Sequence, residues 1–473
     1  MKPEKIAELI MLTEKENNLF DLKIEDVQIY PFLRIPLYYQ ISSIMGEFSN
    51  YVMPSRSKIQ SINYLMKSLQ LFYVNYQKIK QKKNPQLMFA GTERLDPVLK
   101  KNIYICHVME NIECSYLVIR SCDNSIKEYI YDSTSLFDSP LRIQTAVYKS
   151  FIFGYKKKLI EEISLQISEC FDKYFGKSFN LKKFIVKHIK HYIIAISRAK
   201  KFLNGINPNL LIVQNSYSNG HLVYAAKKLD IPVIEFQHSL TYNHHLGYSY
   251  PNSKIGSIDI FPDYFFTFGD YWNSVASYPI KKERIISVGF PHFDYVKKTK
   301  TNIIKSYNDK SKSILIISQN TTGSKLFDLS KTLSNKMKGY TIFFKLHPKQ
   351  YDYYEKNQVS VPDNMNIVKK NSYSLYQLFS ICSFQIGVFS TAVYEGLSFG
   401  VKTIIYKTSG YEFLQDLINK DFVKLAVNAN EVIDHINKDK FNHPEKNLFF
   451  KSSGVKNINS EINKILSVKS GST

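Results

Sequence analysis

The sequence predicts an α/β protein with two doubly wound, Rossmann-like domains in tandem behind a helical N-terminal extension. Three observations predict it. From position 209, short unbroken apolar runs alternate with helical stretches, the pattern of parallel strands covered on both faces. The alternation stops in a polar, Lys-rich stretch at 294–312 and resumes at 313. The 473 residues are also more than one ordinary core accommodates.

The elements follow in order. Positions 1–84 read as helical, with a basic exposed face and apolar repeats such as INYLMKSLQLFYVNYQKI. QLMFAG (86–91) is the first strand, followed by strand-like runs at 114–121 and 128–132. Positions 142–203 return to helix, where Leu181, Ile185, Ile189, Tyr192 and Ile196 share one side and lysines decorate the others. That pattern predicts a surface helix packed on a sheet, with a membrane-docking helix as the alternative. NLLIVQN, IPVIEFQHS, YFFTFGD and ERIISVGFP are strands of the first domain, with a short helix expected around Trp272. SILIISQN, YTIFFKLHP, FQIGVFS and VKTIIYK are strands of the second, with helices near 324–338, 374–383, 391–399 and 412–420. The expected organisation is a helical region at 1–84, a first Rossmann-like domain at 85–293 and a linker at 294–312. A second such domain follows at 313–450, then a C-terminal helix or tail at 451–473. Ligands of such sheets bind beyond the carboxyl ends of the strands, so two domains facing each other are expected to form a cleft.

Composition narrows the class. Lys plus Arg number 63 against 41 Asp plus Glu, a formal charge of +22 that calls for an anionic partner. The charge alone does not separate nucleic acid, a membrane surface and a phosphorylated substrate. No basic stripe with interleaved aromatics matches a nucleic-acid reading module. Cys106, Cys114, Cys122, Cys170 and Cys382 are scattered without a CxxC pair, against a disulfide framework or zinc site. No stretch approaches the roughly 18–20 apolar residues that span a bilayer. Charges run throughout the first twenty positions, unlike a signal peptide, so a cytoplasmic protein is expected.

Three strand ends of the second domain carry chemistry. In SQNTTGSK, Thr321, Thr322, Gly323 and Ser324 form a small hydroxyl-rich turn before a helix, where free backbone N–H groups meet an anion. It is not a P-loop, because the GxxxxGK[ST] spacing is absent. In FFKLHPKQ, Lys345 ends a strand and His347-Pro348 follows, with proline stopping the ladder and fixing the histidine. In GVFSTAVYEG, Ser390 and Thr391 open a helix and Glu395 follows one turn later, placed for a ribose diol. Ordinary capping turns read the same way.

At these residues the chain resembles bacterial GT-B glycosyltransferases of surface-polysaccharide synthesis. In the sialyl and Kdo transferases of that fold, a His-Pro motif and a later Ser-Ser/Thr motif hold the CMP part of the donor. The matching positions are His347-Pro348 and Ser390-Thr391. CDP-glycerol-dependent transferases show a similar pair. AAKKLDIPVIEFQHS, YSYPN, FTFGDYW and VGFPHFD also resemble capsule and O-antigen transferases, and the resemblance covers about 205–440. It departs from the family in two places. No Asp/Glu-Asp-Gly triplet supplies the base, and Ser239 stands where many related chains have glycine.

The resemblance implies a cytoplasmic GT-B transferase peripheral to the inner membrane. It would move a sugar, best a CMP-activated acid sugar, to a capsule, O-antigen or lipooligosaccharide acceptor. CDP-dependent phosphate transfer, UDP- or GDP-hexose transfer and sugar-nucleotide epimerisation stay open, as does nucleic-acid binding from charge alone. Lys345, His347, Pro348, Ser390, Thr391, Glu395, Thr322 and Gly323 are the expected donor residues. Gln237, Tyr242, His244 and Tyr248 are expected at the acceptor, with Tyr250 as a further stacking ring. His238, Glu93 and Asp96 are the candidate catalytic groups. Asp270 reads as a helix cap. His238, His244 and His245 suit one metal site poorly, so neither metal nor cofactor is expected.

Overall fold

The computed structural model describes residues 2–46, 58–82, 84–91, 94–96, 99, 101–120, 129–148, 154–176, 179–300, 312–357, 359–370 and 372–470. The chain forms two compact units. The first takes Met1–Phe268, Trp272–Gly289 and Val455–Thr473, and the second Gly269–Tyr271 and Phe290–Gly454.

The first unit is built on a seven-stranded parallel sheet. Its strands are β1 (Leu87–Ala90), β2 (Tyr116–Arg120), β3 (Ser135–Phe137), β4 (Leu210–Val213), β5 (Val233–Phe236), β6 (Tyr264–Thr267) and β7 (Ile285–Ser287). They lie in the order β3-β2-β1-β4-β5-β6-β7. β1, β4 and β5 are buried at every position, as unbroken apolar runs require. The order reverses between β1 and β4, so the loops after those strands diverge and leave a crevice at their carboxyl ends.

One strand differs from expectation. Positions 129–132 form no strand, because Asp132 organises a turn by accepting from the Thr134 amide and hydroxyl at 2.9 and 2.7 Å. The edge strand is β3 instead, three residues long.

The helical extension supplies α1 (Pro3–Asn17), α2 (Tyr30–Ile44) and α3 (Lys58–Gln81). The first two share a core with α4 (Gly154–Phe175) and α5 (Lys182–Ile206), where Ile6, Leu33, Phe171 and Ile185 pack together with Phe265 of β6. Leu181, Ile185, Ile189 and Ile196 are buried and Tyr192 half-buried, so α5 packs inward along the side its spacing predicts. A buried ion pair crosses this core. Arg34 donates to both carboxylate oxygens of Glu14 at 2.7 and 3.0 Å and to the carbonyls of Leu246 and Ser249, and its guanidinium stacks 4.1 Å from the Tyr250 ring. The N-terminal helices thus hold the aromatic loop after β5.

The second unit has a six-stranded parallel sheet. Its strands are β8 (Ser313–Ile317), β9 (Thr341–Lys345), β10 (Met365–Val368), β11 (Phe384–Gly387), β12 (Lys402–Tyr406) and β13 (Lys424–Ala426). The order β10-β9-β8-β11-β12-β13 repeats the first sheet's, with its reversal between β8 and β11. Residues 291–300 form α6 (Pro291–Lys300) where the composition predicts a linker from 294, because Phe293 and Val296 give it a buried face. Positions 301–311 lie outside the described residues. Among the described residues, no helix is long and apolar enough to cross a membrane.

Candidate active site

The loops at the carboxyl ends of β4 and β5 build a polar cluster in the first unit. β5 carries Glu235 inside an apolar run, and its side chain is fully buried. The Tyr248 hydroxyl donates to Glu235 Oε1 at 2.6 Å, and the Ser216 amide donates to Oε2 at 3.2 Å. His238 Nδ1 lies 3.1 Å from the same Tyr248 oxygen. Its Nε2 lies 3.4 Å from Asn215 Nδ2 and 3.5 Å from the Tyr217 hydroxyl. The His238 side chain keeps 16% of its surface exposed.

With Glu235 ionised, hydrogen counting favours one tautomer. Tyr248 has one hydrogen, and the carboxylate takes it. The Tyr248 oxygen then accepts from Nδ1–H of neutral His238, and Nε2 carries no hydrogen and accepts from the Asn215 amide or the Tyr217 hydroxyl. Burial shifts both ends of this chain. It lifts the Glu235 carboxyl to about 7, against the lowering hydrogen bonds of Ser216 and Tyr248. It pushes His238 down to about 3, helped by His245 and Arg94 and opposed by the Gln214 carbonyl. His245 sits over Tyr248 with ring centroids 4.8 Å apart, and burial pushes it down to about 4.

The other expected residues of this unit take different places. Gln237 is buried, donates to the Ser239 carbonyl at 3.0 Å and accepts from the Phe268 amide at 2.9 Å. Tyr248 is fully buried. Both side chains, expected at the acceptor, are held within the fold by these bonds rather than at its surface. Tyr250 is likewise buried under Arg34. His244 stays half-exposed with Nε2 3.6 Å from Glu8 of α1, and Tyr242 is half-buried against His245. Asp96 is buried and accepts from the Leu99 amide at 2.7 Å, structuring its own turn. Glu93 lies outside the described residues. The β1 loop does reach His238, since the Tyr104 hydroxyl donates to its carbonyl at 2.8 Å.

In the second unit, the adjacent strands β9, β8 and β11 bring their ends to one sheet edge. Gln350 ties two of them, accepting at Oε1 from Ser318 Oγ at 2.7 Å and from the His347 amide at 3.0 Å. Gly323 opens α7 (Gly323–Lys336) against that amide, and a Cβ there would stand 2.1 Å from Gln350 Nε2. Thr322 precedes the helix and is buried, with its hydroxyl donating to Gln319 Oε1 at 3.4 Å rather than capping a helix amide. His347 Nδ1 accepts from the Lys349 amide at 3.2 Å, so its neutral ring carries hydrogen on Nε2. Burial, then Lys349, lowers its pKa. Pro348 is exposed and starts the turn. Burial brings the Lys345 ammonium down to about 8, and it donates to Tyr351 Oη and the Tyr373 carbonyl at 3.3 and 3.2 Å. Ser390 caps α8 (Thr391–Ser398), accepting from the Ala392 amide at 3.2 Å. Thr391 is half-buried, whereas Glu395 is buried.

Among the described residues, no group of three or more His, Cys, Asp or Glu is placed to hold a metal ion. No family model matches the chain. It is 23% identical over 205 residues to the UDP-N-acetylglucosamine–N-acetylmuramyl-(pentapeptide) pyrophosphoryl-undecaprenol N-acetylglucosamine transferase of Leuconostoc mesenteroides. That match covers 42% of this chain and 52% of the transferase, so the chain spans about half the length of this curated relative. The S. aureus MnaA–UDP co-structure superposes with a TM-score of 0.50 at 12% identity, covering 81% of this chain and 97% of that one. UDP-N-acetylglucosamine 2-epimerase from Rickettsia bellii gives 0.49 at 11%, covering 81% and 96%. The fold is GT-B. In this glycosyltransferase-like fold each of the two Rossmann-like units carries one of the candidate residue clusters described above.

Sequence reading misses Glu235, Asn215 and Tyr217. Only Glu235 leaves a signal, a carboxylate inside IPVIEF, where an unpaired charge would be costly.

Proposed function

We propose that the chain transfers a sugar from a nucleotide-sugar donor to an acceptor hydroxyl, with His238 as the base. The observation that carries this reading is the Glu235–Tyr248–His238 chain, which leaves Nε2 without hydrogen on a partly exposed ring, where an acceptor hydroxyl would displace its contacts with Asn215 and Tyr217. Nε2 takes the acceptor hydroxyl's proton as that oxygen bonds to the sugar's anomeric carbon. The Nδ1 proton passes to the Tyr248 oxygen, and the Tyr248 proton passes to Glu235. His238 ends neutral with hydrogen on Nε2, and the proton rests on a carboxyl whose pKa is about 7 rather than on an imidazolium disfavoured to about 3. The bond from the anomeric carbon to the donor phosphate breaks, and its electron pair leaves with the nucleotide.

The second unit receives that nucleotide. His347 Nε2–H, the Ser390 and Thr391 hydroxyls and the first amides of α7 are donors for phosphate oxygens, and this set needs no divalent metal. A uridine nucleotide is the leading donor, because UDP stands in the names of the curated relative and of the S. aureus co-structure. The cytidine donor implied by His347-Pro348 and Ser390-Thr391 is the second reading. The relative's name carries a pyrophosphoryl-undecaprenol acceptor, which supports a lipid-linked acceptor and work at a membrane surface.

Calorimetry with UDP, CMP, CDP and GDP tests the donor half, and donor turnover with and without a lipid-linked acceptor tests the chemistry. Acceptor-dependent loss of donor, abolished in His238→Ala, is expected. Isomerised donor without acceptor would favour epimerisation. Binding to generic DNA with steep salt dependence and no nucleotide affinity would end the transferase reading.

A further inference from the structure

Helix α3 buries a largely polar stripe. Its buried positions are Ser68, Leu71, Asn75 and Lys78, at helical spacing, with Tyr64, Val74 and Ile79 partly buried beside them. Three of those four are polar, and two of them staple the edge of the sheet. Asn75 donates to the β3 residue Phe137 at its carbonyl and accepts from its amide, at 2.8 and 2.9 Å. Lys78 donates to the carbonyls of Tyr129, Asp132 and Ser135 at 3.3, 2.7 and 2.9 Å. The opposite stripe is Ile62, Met66, Leu69, Tyr73 and Tyr76, each 58–65% exposed, with Leu65 and Phe72 beside it. A helix that pays for edge-strand coverage with its polar side leaves its apolar side to another partner.

The charges decide which partner. The 24 residues of α3 contain no Asp or Glu, and Lys67 and Lys80 are exposed on it. A second copy on this face would bring those lysines together without an acid to meet them. An anionic bilayer meets them with phosphate while taking the aliphatic side chains into its acyl boundary. Tyrosine rings suit headgroup depth, where one end is apolar and the other wet. The chain's +22 charge acts in the same sense.

We propose that α3 is the membrane-contact surface of this protein, lying in the plane of an anionic lipid leaflet on its Ile62–Met66–Leu69–Tyr73–Tyr76 stripe. This does not depend on the transferase reading. The full chain should co-sediment with phosphatidylglycerol–phosphatidylethanolamine vesicles and not with phosphatidylcholine vesicles. Leu69→Asp/Tyr73→Asp should lower partitioning by about tenfold or more. Lys67→Glu/Lys80→Glu should weaken it several-fold and flatten its salt dependence. Tyr73→Trp gives a reading that survives any folding defect of the charged variant. Its emission should be quenched by brominated lipids, whereas the parent's buried Trp272 should not respond. Three results would each overturn the proposal. Anionic vesicles leave the parent in the supernatant, or Leu69→Asp/Tyr73→Asp partitions like the parent. Alternatively, the parent sediments as a dimer that Leu69→Asp/Tyr73→Asp converts to monomer.

Discussion

The two sites are made of different material. In the first unit, side chains bond side chains: Glu235, Tyr248 and His238 form a chain in which each member titrates away from its ordinary value. In the second unit, hydroxyls and rings mostly meet backbone: Ser390 the Ala392 amide, His347 the Lys349 amide. On the proposed reading the first arrangement stores and moves a proton, whereas the second presents the fixed hydrogen of His347 Nε2 and the Ser390 and Thr391 hydroxyls to an anion. On that reading the 3-2-1-4-5-6 strand order common to both sheets serves two chemistries, and the strand-end residues choose between them. Variants in the first unit should change rate and pH dependence, and variants in the second should change nucleotide affinity.

The largest effect expected is in His238→Ala, which should lower kcat by about 10²–10⁴-fold with nucleotide affinity unchanged. Parallel losses in rate and affinity would erase the contrast. Next comes Arg34→Ala, which strands Glu14 in the core and should cost about 3–5 kcal/mol in denaturant unfolding. An unchanged midpoint would show that the aromatic loop holds itself.

Glu235→Gln sharpens the comparison, because rate and stability should move in opposite directions. The Ser216 N–H can be met only by the amide oxygen, so the amide NH₂ faces Tyr248 and reverses the chain. Nε2 of His238 then carries hydrogen, and kcat should fall about 100-fold. The folded pKa of Glu235 lies above its ordinary value, so its contribution to stability is full below pH 4.5 and is lost as pH rises through about 7. The glutamine variant should gain about 1–3 kcal/mol over the parent at pH 8.5 and little at pH 5. Smaller again, His347→Ala should weaken nucleotide binding by about tenfold with the pH profile kept. Ser390→Ala should lose about 1 kcal/mol of cap stability and a comparable part of the affinity.

Most of the fold is legible because buried parallel strands carry unbroken apolar runs: ILII, IFF and LLIV need no partner to be recognised. Met365–Val368 and Lys424–Ala426 are not, since one mixes exposed Asn366 into four residues and the other is a three-residue edge. The strand-end turns of the second unit are legible because Ser390 and His347 act on amides within two positions of themselves. The aromatic loop misleads because its partners lie far away in sequence. Arg34, which grips the carbonyls of Leu246 and Ser249, is more than 200 positions upstream, so tyrosines that look available to a sugar are core.

The account rests most heavily on the direction of the Glu235–Tyr248–His238 chain. The ¹⁵N NMR signals of His238, followed from pH 5.5 to 8.5 in the parent and in Glu235→Gln, measure it directly. The parent should carry hydrogen on Nδ1 at pH 8.5 and switch to Nε2 as Glu235 protonates through about 7, without becoming imidazolium. The variant should show Nε2–H at every pH. Hydrogen fixed on Nε2 in the parent at pH 8.5, directed at the Gln214 carbonyl, would contradict the account.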